Sequence, residues 1–107
     1  MYHKLHMNSP EIKAFIRKSS YLFWYTPKDK KEEISQEFLV ETIFNYGDTL
    51  AVKKLFALIG IKKVAEVFFN SIDHRNRRKE NYNKLTINYF SLLFKRYAPE
   101  VSEKYHL

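Results

Sequence analysis

Apolar residues recur at helical spacing through most of this chain, and only two glycines and three prolines interrupt its 107 residues. Val52, Leu55, Phe56 and Ile59, for example, stand at i, i+3, i+4 and i+7, the pattern of one face of an α-helix. A β-sandwich or barrel needs many turns, which are rich in glycine and proline. The sequence therefore predicts an all-α protein.

End signals place about five short helices in one compact domain that spans residues 1–107. The first helix is expected to begin at Asn8-Ser9-Pro10. The other four are expected to span residues 34–46, 48–59, 61–72 and 86–97. Gly47 and Gly60 are predicted to end two helices in the left-handed conformation, and Thr86 to cap the last one. Ala98-Pro99 is expected to close that helix, and residues 1–8 and 100–107 are expected to be frayed tails.

Positive charge is concentrated in the second half of the chain. The net charge is +7, and residues 48–98 carry eleven basic and four acidic groups. The densest point contains Arg75, Arg77, Arg78 and Lys79. Such neighbours repel one another unless an acidic group neutralises them. The run is interpreted as a contact for a phosphate backbone or an acidic partner surface, with a solvated connector between helices as the alternative.

Five bulky residues, Tyr21–Tyr25, form an aromatic segment before Thr26-Pro27. Trp24 is costly to leave in water, so we expect the segment to be a plug on the core, with Trp24 buried against the third and fifth helices. A platform on which nucleic-acid bases stack is the alternative. The absence of interleaved Lys or Arg favours the plug.

Residues typical of catalytic and metal sites are scarce. The chain has no cysteine, no glycine-rich phosphate loop and no G-x-S-x-G elbow. His3 and His6 have the spacing of a ligand pair but no third ligand nearby. No apolar run approaches the ~20 residues of a membrane span, and Met1–Pro10 lacks the apolar region of a signal peptide. We therefore expect a cytoplasmic protein that is not an enzyme and binds no metal, cofactor or membrane.

The two helices predicted within residues 49–70 can be interpreted as a helix-turn-helix around Gly60. The residues that would contact DNA are Lys53, Lys54, Lys62 and Lys63. Phe56 is larger than the residue that the motif usually has four positions before its glycine. Glu66 would lie in the middle of the reading face. A glycine-ended corner of an ordinary helical protein is therefore the alternative.

Several motifs stand in a characteristic order along the chain. They are Phe23-Trp24, Asn45-Tyr46-Gly47-Asp48, Leu55, Gly60 and Leu85-Thr86-Ile87-Asn88-Tyr89-Phe90. In this order, and with the arginine-rich segment between them, the chain resembles a prokaryotic family of small helical proteins often encoded beside nucleotidyltransferase toxins of the abortive-infection type. The resemblance spans Tyr21 to Pro99 and implies an antitoxin or toxin-partner role. Tyr25 departs from it, because an acid is expected after Phe-Trp.

Two functions follow from these observations. An antitoxin-like interaction protein would bind a nucleotidyltransferase toxin through the basic run that ends at Lys79, or through an exposed aromatic patch. A helix-turn-helix-like DNA-binding regulator would contact the phosphate backbone through the basic second half. The first is favoured because the peak of positive charge lies outside the candidate recognition helix.

Overall fold

The computed structural model describes residues 9–23, 34–73 and 76–105, which form α-helices and short 3₁₀ helices without any strand. The α-helices are α1 (Pro10–Lys18), α2 (Gln36–Tyr46), α3 (Thr49–Ile59), α4 (Ile61–Ile72), α5 (Lys84–Tyr97) and α6 (Pro99–Tyr105). The 3₁₀ helices span Ser20–Phe23 and Arg77–Asn81. The prediction of an all-α fold in one compact unit is confirmed.

Side-chain caps start α1 and α3 where the sequence signals them. The Ser9 side chain accepts from the Ile12 N–H at 3.2 Å, and Pro10 occupies the first helical position of α1. Asp48 accepts from the Ala51 N–H at 2.9 Å and so starts α3 one residue after the corner. Each cap satisfies a backbone donor that the first helical turn leaves free.

The predicted cap of α5 is wrong, because Asn83 and not Thr86 caps the helix, which begins at Lys84. The Asn83 Oδ1 accepts from both the backbone N–H and the hydroxyl of Thr86, each at 2.8 Å. Thr86 is buried in the first turn. Asparagine is as good a cap as threonine, so composition at this segment does not distinguish the two.

The two glycine corners differ in their physical reason. Gly60 has a φ of 99° and a ψ of 136°, a conformation that other residues rarely adopt, and a Cβ there would meet nothing within 4 Å. Gly47 is extended, with a φ of −79°, so the prediction of a left-handed conformation is wrong there. A Cβ on Gly47 would lie 2.7 Å from the carbonyl oxygen of Ile43. Close approach therefore requires Gly47, whereas backbone conformation requires Gly60.

Helix α4 lies at the centre of the core and packs against α2, α3, α5, α6 and the 3₁₀ helix Arg77–Asn81. Its buried apolar side chains are Val64, Ala65, Phe68, Phe69 and Ile72. Phe68 lies 5.6 Å, ring centroid to ring centroid, from both Phe44 of α2 and Phe94 of α5. Phe44 in turn stacks on Phe90 of α5 at 3.6 Å. Aromatic contacts thus join three helices at one point.

The expected frayed tail is wrong for residues 100–105, which belong to α6. Val101 and Ser102 are buried, and the ring of Tyr105 stacks on Phe69 at 5.8 Å. Pro99 begins this helix, consistent with the preference of proline for the first helical position, where no backbone N–H is needed. From the sequence this proline is expected only to close α5, whereas in the structure it also begins α6.

The aromatic segment is described only in part. Phe23 ends a one-turn 3₁₀ helix, is fully buried and contacts Phe38 at 5.9 Å between ring centroids, as predicted for a plug on the core. Trp24 and Tyr25 lie outside the described residues, as do residues 1–8, so the expectations for them stay predictions.

None of the helices in the described ranges is both long enough and apolar enough to cross a membrane. The 14 residues of α5 compare with the ~20 residues that a bilayer requires.

Candidate interaction surface

The connector between α4 and α5, residues 76–83, is held by the carboxylate of Glu41 in α2. Glu41 is buried, and its Oε1 accepts from Arg78 Nη1 at 3.2 Å. Asn81 Nδ2 donates to both carboxylate oxygens, at 3.2 and 3.4 Å. A buried carboxylate is stable only when it is paired and hydrogen-bonded. The basic run therefore has an acidic partner inside the molecule, which the sequence analysis missed.

Asparagine side chains extend this anchor on both sides. Asn45 of α2 donates through Nδ2 to the carbonyl oxygen of Asn81 at 2.9 Å and accepts from the Asn83 N–H at 3.3 Å. Asn76 donates through Nδ2 to the carbonyl oxygen of Asn70 at 3.1 Å. The connector is thus tied to α2 and to the end of α4 by hydrogen bonds, rather than being a loose solvated loop.

Tyr82 anchors the connector on its core-facing side. Its ring is buried and lies edge-on to Phe68 at 5.5 Å between ring centroids. Its hydroxyl has no hydrogen-bond partner in the described part of the chain. Burial, and secondarily the nearby Glu41 carboxylate, raise the pKa of Tyr82 above its ordinary value. Tyr82 therefore stays neutral and contributes packing, not acid–base chemistry.

The predicted contact residues of the basic run that the structure describes have two different environments. Arg78 is one-third exposed and neutralises Glu41. Arg77 and Lys79 are exposed on the 3₁₀ helix, and Glu80 beside them is exposed as well. Arg75 lies outside the described residues. Of the described cations of the run, Arg77 and Lys79 are therefore the ones that a partner can reach without competing with Glu41.

The lysines of the DNA-binding hypothesis are exposed, but α6 lies along the predicted reading face. Lys62 Nζ is 2.7 Å from Glu100 of α6, and this hydrogen-bonded pair raises the pKa of Lys62 and lowers that of Glu100. Glu66 pairs with Lys104, also of α6, at 3.7 Å. A recognition helix enters the major groove with one side free. Here the side of α4 that carries Lys62 and Glu66 forms salt bridges with α6.

Lys53, Lys54 and Lys63 are also exposed, on α3 and at the start of α4. They remain accessible to phosphate, which needs no helix insertion.

The outer side of α5 carries large apolar side chains. Leu85, Tyr89 and Leu92 are 82%, 61% and 58% exposed and stand at i, i+4 and i+7, so they share one helix face. We call these residues, with Asn88 between them, the α5 face. For this helix the spacing of Ile87, Phe90, Phe94 and Tyr97 predicts one apolar stripe toward the core. The side opposite the α5 face buries Phe90 and Phe94 together with Thr86, whereas Tyr97 is 60% exposed.

A shallow groove of about 320 Å³ continues the α5 face toward the α2–α3 corner. Leu85 and Tyr89 line one wall, and Gly47, Thr49 and Val52 line the other. Sequence reasoning missed this surface because it assigned a single apolar stripe to α5. The available signal was the second stripe, formed by Leu85, Tyr89 and Leu92 at helical spacing.

Two observations concern the acidic side chains of the described residues. No three His, Asp or Glu side chains among them are close enough to hold a metal ion. Glu41 is the one buried carboxylate among the described residues. It already pairs with Arg78 and accepts from Asn81. What the arrangement presents is binding surface: the exposed cations of the connector, and the α5 face with its groove.

Comparison with protein-family models, with curated proteins and with solved structures found no significant match to this chain. The family resemblance therefore remains an expectation.

Proposed function

We propose that this protein is a non-enzymatic interaction protein of the cytoplasm, acting as the antitoxin-like partner of a nucleotidyltransferase toxin. The observation that supports a binding role is the anchored connector. Arg77 and Lys79 are exposed on a 3₁₀ helix that Glu41, Asn45 and Tyr82 hold in place. Basic side chains on a backbone that is already held in place lose less conformational entropy on binding than those on a loose loop.

The partner surface that fits these cations is acidic. An arginine guanidinium can form forked, charge-assisted hydrogen bonds with carboxylates, and basic side chains accelerate association with an oppositely charged surface. The net charge of +7 favours the same class of partner.

We expect the double variant Arg77→Ser, Lys79→Ser to keep its fold and to lose much of its binding. Exposed charges contribute within about 0.5 kcal/mol to folding, whereas the loss of two charge-assisted contacts should weaken a complex at least tenfold. The measurement is co-expression with whatever nucleotidyltransferase its operon supplies, scored by co-purification and by rescue of growth.

The matched control is Lys53→Ser, Lys54→Ser, which removes two exposed cations from α3 and leaves the connector intact. Arg78 is kept in both variants because it neutralises buried Glu41. Unchanged co-purification and rescue in the Arg77→Ser, Lys79→Ser variant would mean that the connector is a solvated segment that does not bind the partner. Failure of the wild type to bind or rescue would refute the antitoxin function.

DNA-binding regulation is the second candidate, supported by the exposure of Lys53, Lys54, Lys62 and Lys63. Because α6 lies along α4, binding is expected to go through phosphate, to fall steeply with salt and to be independent of sequence. Gel-shift titrations at two salt concentrations should then give equal affinities for the region upstream of the gene and for random duplex.

Charge reversal distinguishes the modes of DNA binding. Phosphate contact predicts that Lys53→Glu, Lys54→Glu and Lys62→Glu, Lys63→Glu weaken binding to a similar extent. A sequence preference lost only in the second variant would indicate a reading helix instead. No shift with either duplex at low salt would remove the regulator function.

A further inference from the structure

We propose that the α5 face, with its groove, binds an acidic amphipathic segment of a partner protein, in a helix-in-groove manner. This surface uses residues other than Arg77 and Lys79. The proposal goes beyond the proposed function, because it names a second surface and the chemistry of its occupant, and it does not require the partner to be a toxin.

The first argument is the continuity of the apolar surface. Single exposed leucines or tyrosines are ordinary on a protein, but Leu85, Tyr89 and Leu92 lie on one helix face. Leu85 and Tyr89 also line a groove that reaches Phe44 and Phe90 of the aromatic core. Apolar side chains of a partner segment can therefore enter a groove that already exists.

The second argument is the charge around this surface. The 14 residues of α5 include Lys84, Lys95 and Arg96, all exposed, and no acidic residue. Lys84 and Lys95 are eleven residues apart, about 16 Å along the helix axis. The carboxylate that lines the groove, Asp48, already caps α3 through the Ala51 N–H. The α5 face thus lies between an exposed lysine at the start of α5 and two exposed cations near its end.

These charges select the occupant. If a second copy of the chain packed its own α5 here, Lys84, Lys95 and Arg96 would face cations in either orientation, and each copy would add a net charge of +7. Like charges brought together at an interface oppose association. A segment with apolar residues at i, i+3 or i+4, and i+7, and with Asp or Glu toward both ends, satisfies both the groove and the cations.

The probe is a displayed library of random peptides as long as α5 itself, 14 residues, selected on the full-length protein. We expect the enriched peptides to be amphipathic and negatively charged. Their affinity should fall at least tenfold for Leu85→Ser, Tyr89→Ser and for Lys95→Glu, Arg96→Glu. It should be unchanged for Arg77→Ser, Lys79→Ser, so this proposal and the proposed function can fail separately.

The matched control is Leu50→Ser, Tyr21→Ser. These residues are 75% and 65% exposed and line a different groove, between α1 and α3. Leu50 and Leu85 are each the second residue of their helix, so the leucines are matched in position, and both pairs remove one exposed leucine and one exposed tyrosine. Circular dichroism checks that all variants are folded, and the control should bind the enriched peptides like the wild type.

Three outcomes would overturn the proposal. One is that the selection enriches no peptide that prefers the wild type over Leu85→Ser, Tyr89→Ser. Another is that the enriched peptides are neutral or basic. The third is a wild-type dimer in sedimentation equilibrium that Leu85→Ser, Tyr89→Ser abolishes, because the α5 face would then join two copies of this chain.

Discussion

Replacing Phe68 by alanine is expected to lower the free energy of unfolding by about 3–5 kcal/mol, the range for deleting a large buried aromatic side chain. Phe68 is fully buried on the central helix, and its ring contacts those of Phe44, Tyr82 and Phe94. Its removal leaves a cavity where α2, α4, α5 and the connector meet. Urea unfolding followed by circular dichroism measures the change by linear extrapolation.

Two controls separate the cavity from a general sensitivity of α4. Phe68→Leu keeps an apolar side chain at the site and should cost less than the alanine variant. Asn70→Ala changes an exposed side chain two residues later on the same helix and should stay within about 0.5 kcal/mol of the wild type. A loss below about 1 kcal/mol for Phe68→Ala would contradict the central position of this ring.

Local signals account for the parts of the fold that were predicted. The caps Ser9 and Asp48, the proline at position 10 and the apolar periodicity of α3 and α4 all act within a few residues of where they stand. Such signals are legible in the sequence because the hydrogen bond or helix face they specify is local.

The errors differ in how far along the chain their causes lie. Gly47 is extended, and what requires glycine there is the nearby Ile43 carbonyl and the start of the next helix. The residues after Pro99 are helical because Val101 is buried and Tyr105 stacks on Phe69 of α4. Tertiary packing of this kind overrides a local stop signal.

The candidate surfaces, too, could be predicted only in so far as they depend on local sequence and not on contacts between distant residues. The basic run is evident from composition, but its partition into Arg78, which pairs internally, and Arg77, which is exposed, depends on Glu41. Glu41 lies 37 residues before Arg78, within a mainly apolar stretch. No spacing rule relates two residues so far apart, so only the folded chain identifies this pair.

Arg78→Met is expected to lower the free energy of unfolding by about 2–4 kcal/mol, because it breaks the pair that Arg78 forms with buried Glu41. Methionine keeps an apolar stem of similar length but leaves the buried Glu41 carboxylate without its counter-charge, and breaking a fully buried pair costs about 3–5 kcal/mol. The lower range reflects the one-third exposure of Arg78 and the hydrogen bonds that Asn81 still donates. Urea unfolding of the full-length protein measures the loss.

The matched control is Arg77→Met, the same change at the exposed neighbour in the connector, which should stay within about 0.5 kcal/mol of the wild type. Adding Glu41→Gln to Arg78→Met should recover part of the loss, because a neutral amide needs no counter-charge and can still accept from Asn81. Equal losses for Arg77→Met and Arg78→Met, or no recovery in the double variant, would mean that Glu41 does not anchor the connector. The cations at Arg77 and Lys79 would then have no fixed position, and the structural support for their role in binding would be lost with it.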